Sequence, residues 1–94
     1  MPAILLDIGP HRERLSGEQA DELRARLRRS RARDRASAIR KITAALEGTG
    51  REGNIVVLSE TEGRVVLRVV ERWQDSPAAV ASLRSRLRAW LSGR

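Results

Sequence analysis

Apolar residues fall in short clusters whose spacing changes along the chain. Residues 3–8, "AILLDI", are apolar except for Asp7 and are closed by Gly9 and Pro10, which predicts a buried strand. The next segment, "HRERL", leads into a helix start. Ser16 suits an N-cap, Gln19 three positions on completes a capping box, and Leu15 stands where a hydrophobic staple residue would. Ala20, Leu23 and Leu27 follow at helical spacing, so a helix is predicted over about residues 17–29.

That apolar stripe lapses in "RARLRRSRARDR", residues 24–35, where seven arginines surround the helix axis and the stripe positions hold Ser30, Arg31 and Asp34. Such a segment cannot lie flat on a core; it is a solvated helical projection or a break between helices. Beyond it, Ala38, Ile39, Ile42, Ala45 and Leu46 restore an apolar face rotated by roughly 100° from the first, which favours two helices with a kink near residues 30–34. Gly48 is a natural stop for the second.

After the loop "GTGREGN", residues 54–58, "NIVVL", predict another strand. Residues 60–73 admit two readings. The valines and Glu62-Gly63 suit the turn and return strand of a hairpin. Period favours a helix, with Val66, Val69, Val70 and Trp73 on one face and Arg64, Arg68, Glu71, Arg72 and Asp75 on the other, and with Ser59 and Glu62 as a second capping box. A last helix is predicted from Ser76 as N-cap and Pro77 at its first position, through Val80, Leu83, Leu87, Trp90 and Leu91, to Gly93.

The halves echo one another. "RLSGEQADELRARL" and "VLSETEGRVVLRVV" align at an offset of 43, and at an offset of 45 Ala36, Ser37, Ala44, Leu46 and Gly48 match Ala81, Ser82, Ala89, Leu91 and Gly93. The pattern therefore describes a mainly helical α+β fold, two short strands with about four helices in the order β-α-α-β-α-α, with internal duplication as one origin. The alternative is β-α-β-β-α with three antiparallel strands. Residues 1–94 are read as a single small domain, and helix content above about 40% separates the first reading from an average globular protein.

Composition narrows the function classes. A chain of 94 residues with no Phe or Tyr, two Trp and one Met has a small aliphatic core, and self-association into a homodimer is one remedy for marginal stability. Basic residues outnumber acidic ones, 19 to 12, and all but Lys41 are arginine. A coding sequence rich in G and C accounts for arginine over lysine, but not for the net charge of +7, which favours an acidic partner. Without Cys there is no thiol chemistry. The N-terminal residues lack the pattern of a signal peptide and no apolar run reaches membrane-spanning length, so a cytoplasmic location is expected.

The chemistry-bearing residues are few. Gly48, Gly50 and Gly53 fit G-x-G-x-x-G, but a helix precedes and a strand follows, the reverse of a dinucleotide site, so this is a helix stop and a loop. His11, with Asp7 and Glu13 nearby, lacks the partners of a general base or a metal site. Ser16, Ser59 and Ser76 are explained as caps, and Trp73 and Trp90 as core or interface residues. No catalytic residue, metal ligand or cofactor is indicated. The remaining candidate is the basic tract, Arg26, Arg28, Arg29, Arg31, Arg33, Arg35, Arg40 and Lys41, as a nucleic-acid-binding site; Arg84, Arg86 and Arg88 add charge on the last helix. Guanidinium forks match phosphate, and the tract lacks the apolar face of a membrane-surface helix. A small, non-enzymatic, nucleic-acid-binding module is the leading expectation. The alternative is a protein-interaction or regulatory accessory, adaptor-like, antitoxin-like or immunity-like, that uses its helical faces.

Overall fold

The computed structural model describes residues 2–93. Its elements are β1 (Ile4–Ile8), β2 (His11–Leu15), α1 (Gly17–Arg29), α2 (Arg35–Glu47), β3 (Ile55–Leu58), α3 (Glu60–Glu71) and α4 (Ala78–Ser92). The fold is mixed α+β, with four helices, a three-stranded mixed sheet and 58% helix. The sheet order is β2-β1-β3, β1 running antiparallel to β2 and parallel to β3.

The strand β2 is the main departure from the expected order. Pattern alone reads "HRERL" as a lead-in, because Leu15 is its one apolar residue and its one buried position. It is a strand because Gly9 and Pro10 close a two-residue link, Gly9 at a left-handed φ of 61°, and that turns the chain back along β1 with Ile8 opposite His11. Its polar character suits an edge position. Glu13, facing the helices, accepts hydrogen bonds from Ser82 Oγ and Arg86 Nε of α4, both at 2.8 Å. The two strands expected from the sequence, β1 and β3, do pair, in parallel, but β2 inserts between β1 and α1, so the order β-α-α-β-α-α is not met.

The hairpin reading of residues 60–73 is excluded, since α3 covers most of that segment. Both capping boxes form: the Ser16 and Ser59 hydroxyls accept from the backbone N–H of Gln19 and Glu62, whose side chains accept in return from the cap N–H groups. Pro77, rather than Ser76, caps α4, because its fixed φ of −59° with ψ 159° serves the extended cap conformation and the helix starts one residue later. Gly48 ends α2 at a left-handed φ of 69°.

All four helices lie on one face of the sheet. Ile4, Leu6 and Ile8 of β1 are fully buried, as are Leu23, Leu27, Ile42, Val66, Val70, Leu83 and Leu87 from the helices. Trp73 is buried, whereas Trp90 is half-buried and packs over two glycines. A Cβ at Gly63 would stand 2.5 Å from Trp90 Cζ3, and one at Gly9 would stand 2.5 Å from its Nε1. Helix propensity alone favours Ala over Gly inside α3 by about 1 kcal/mol. Gly63→Ala is nevertheless expected to destabilise by roughly 1–3 kcal/mol, the usual cost of overpacking. Urea unfolding checks this: Gly63→Ala lowers the midpoint and Trp90→Leu in the same chain restores part of it, whereas a raised midpoint for Gly63→Ala alone contradicts the packing.

Candidate functional site

The arginine tract is divided by a helix break. Between α1 and α2, residues 30–34 leave the helical path, and the break is pinned by Ala32, whose side chain is buried in the core. Ser30 Oγ donates to the Leu27 carbonyl at 2.7 Å, and Arg35 Nη1 donates to the Ala32 carbonyl at 3.0 Å. The arginines are therefore not strung along a projecting rod; they fan out from a turn anchored to the body.

The eight residues of the predicted site meet different fates. Arg26 pairs with Glu22 at 3.0 Å and stacks over the Trp73 ring, its guanidinium carbon 4.4 Å from the centroid. Arg29 is exposed and reaches Glu22 only at 3.9 Å. Arg28, Arg31, Arg33 and Arg40 are exposed and form no ion pair among the described residues. Arg35 supports the turn. Lys41 points away from the tract, with Nζ donating to Glu62 Oε1 and to the Val57 carbonyl, both at 2.8 Å.

Arginines from α3, which the sequence places on a polar stripe but outside the candidate site, complete the surface. Arg64, Arg68 and Arg72 recur at i, i+4 and i+8 on the face opposite the buried valines. The turn after α1 packs against this stripe. A hollow of about 500 Å³ forms there, lined by Arg26, Arg29, Ser30, Arg31 and Ala32 on one side and by Arg68, Val69 and Arg72 on the other. A smaller one of about 280 Å³ adjoins it, sharing Ala32 and Arg68 and adding Arg33, Asp34, Thr61, Arg64 and Val65. No acidic residue lines the larger hollow. No family model, curated protein or solved structure matches the chain. The functional reading therefore rests on this geometry alone.

Part of the positive charge has a structural role. Arg26, Arg28 and Arg29 occupy the last turn of α1, Arg68 that of α3, and Arg72 is the C-cap of α3. Cations there are favourable, but a helix C-terminus carries only about half a negative charge. Two helix ends and Glu22 leave about three of the five arginine charges around the larger hollow uncompensated.

A second polar cluster joins α2 to the start of α3. Glu62 is buried and accepts from Lys41 Nζ, Ser37 Oγ and the Ser59 N–H. Burial alone would raise its pKa; the donors from Lys41, Ser37 and Ser59 outweigh it and lower the value from 4.5 to about 2. A serine beside a carboxylate and a lysine invites a nucleophile reading, but a carboxylate held at that pKa is a poor proton acceptor near neutral pH. The cluster is a structural joint. It also guards the sheet: Leu5 N–H donates to Asn54 O, so the ladder points the groups of Ile55 and Val57 to the open edge of β3, where Lys41 covers the Val57 carbonyl. Among the described residues no three His, Asp or Glu side chains come together in a way that could hold a metal, and no helix is long and apolar enough to cross a membrane.

Proposed function

We propose that this protein is a small, non-enzymatic module that binds the phosphate backbone of nucleic acid through the surface made by the end of α1, the following turn and the exposed face of α3. One observation carries the reading: arginines distant in sequence converge on one hollow that has no acidic residue in its lining. Several arginines elsewhere are matched with acids, as in Arg12–Asp7, Arg24–Asp21, Arg86–Glu13 and Arg88–Glu71, and those that are not, such as Arg14, Arg40 and Arg51, line neither hollow. What supports the α1–α3 surface as the ligand site is this convergence of arginines around one hollow. Arginine forks suit phosphate oxygens, and contacts of this kind fix position without reading sequence.

The ligand favoured is a duplex rather than an unpaired strand. Single-strand binding commonly uses aromatic platforms; here there is no Phe or Tyr, Trp73 lies buried beneath Arg26 and Trp90 packs on Gly9 and Gly63. Use of helical faces by a protein partner is less favoured, because those faces are spent on the core. Among the described residues Val57, on the sheet, is the one large apolar side chain that is exposed. The surface is complete within one chain, so the reading does not depend on self-association.

A salt titration with a labelled duplex of about 20 base pairs tests this. Four to five neutralised phosphates give a slope of log K against log salt near −4, hence a loss of roughly 250-fold between 50 and 200 mM salt. No binding at 50 mM, or a slope near −1, contradicts the proposal.

A further inference from the structure

We infer that the larger hollow is a seat for two adjoining phosphate groups, as found in neighbouring phosphodiesters of one strand or in a pyrophosphate. This deepens the nucleic-acid reading and rests on it for the natural source of those phosphates. Three features distinguish the hollow from a merely basic surface.

The first is where the free charge lies. Arg31, Arg68 and Arg72 have no acidic partner among the described residues; Arg14, Arg40 and Arg51 have none either, but they lie on β2, on α2 and in the loop before β3 and line neither hollow. Arg31, Arg68 and Arg72 come from the turn, the last turn of α3 and its C-cap, and they meet around one cavity. Like charges gathered without counter-charge repel one another, and an anion seated between them reverses the sign of that interaction.

The second is preorganisation. Arg26 is held over the Trp73 ring and tethered by Glu22, so one wall of the hollow is a guanidinium whose side-chain freedom is already restricted. Ala32 is buried, which fixes the turn that carries Arg31. A ligand then orders fewer side chains on binding than it would on an unconstrained arginine run.

The third is the match of charge and lining. About three uncompensated charges suit a dianionic or trianionic group better than a single phosphodiester. The remaining lining, Ala32 and Val69, offers nothing for the polar edges of a base or sugar, and the Ser30 hydroxyl is already donated to the Leu27 carbonyl. Recognition in the hollow is thus left to its guanidinium groups, whose forks match phosphate oxygens.

Thermal unfolding at fixed ionic strength, made up with sodium chloride, tests the seat with inorganic pyrophosphate and orthophosphate as probes. Pyrophosphate at ten times its Kd is expected to raise Tm by about 5 °C or more, the shift growing with the logarithm of its concentration, and orthophosphate less. Arg68→Ala is expected to abolish the pyrophosphate shift. Arg31→Ala, in the turn and outside any helix, is expected to reduce it and serves as a second variant. A pyrophosphate effect no larger than that of chloride, or one unchanged in both variants, overturns the seat. Duplex binding measured in parallel separates the two proposals. Duplex binding without a pyrophosphate shift removes the seat and leaves the backbone reading; a pyrophosphate shift without duplex binding keeps the seat and removes nucleic acid as its source.

Discussion

Replacing Arg68 and Arg72 together by glutamate is expected to weaken duplex binding on the order of 100-fold at 50 mM salt and to reduce the salt slope by about 2, one for each phosphate deprived of its guanidinium. The informative comparison is Arg14 and Arg51 replaced in the same way. Each double reversal lowers the formal net charge by four, from +7 to +3. Arg14 lies on β2 and Arg51 in the loop before β3, both exposed and neither lining the α1–α3 hollows. If binding were governed by net charge alone, the two variants would lose affinity equally. A local interface instead predicts a loss at least tenfold smaller for Arg14 and Arg51. Both positions of the test pair are exposed, so circular dichroism should show the helix content retained.

The second large effect concerns stability and is expected to follow the Glu62 joint. With its pKa lowered from 4.5 to about 2, Glu62 binds protons less readily in the folded chain than in the unfolded one. Its contribution is therefore fully present above about pH 4.5 and is lost as pH falls towards 2, amounting to about 3 kcal/mol at 1.36 kcal/mol per pKa unit. Glu62→Gln removes that charge and leaves Lys41 Nζ a neutral amide oxygen in place of its carboxylate partner at 2.8 Å. The expected loss at pH 7 is roughly 2–3 kcal/mol, or about 10–20 °C in Tm for a domain of this size. The variant's stability should also change less between pH 5 and pH 3 than that of the parent. Equal acid sensitivity in the two chains would show that another group dominates, and Lys41→Met in a double-mutant cycle measures the coupling directly.

Where sequence and structure agree, local chemistry is the reason. Ser16 with Gln19, Ser59 with Glu62 and Gly48 satisfy helix ends from residues within a turn of one another, so the bounds of α1, the start of α3 and the end of α2 are legible from spacing. The segment His11–Leu15 was not legible, because what makes it a strand is its pairing with β1 and the grip of α4 on Glu13, both supplied by residues elsewhere in the chain. The site was half legible for the same cause. Periodicity finds the arginines after α1 and, separately, the stripe of Arg64, Arg68 and Arg72, but only tertiary packing brings them to one hollow. Lys41 shows the converse: a basic residue adjoining a basic tract by sequence, turned to an acid that is 21 positions away.

Arginine side-chain Nε–Hε resonances of ¹⁵N-labelled protein, titrated with duplex and assigned by single substitution, test the location of the interface most directly. Binding through the α1–α3 surface predicts the largest shifts at Arg29, Arg31, Arg68 and Arg72, with Arg12, Arg14, Arg51 and Arg86 nearly unmoved. Shifts spread evenly over all arginines, or concentrated on β2 and α4, would contradict it.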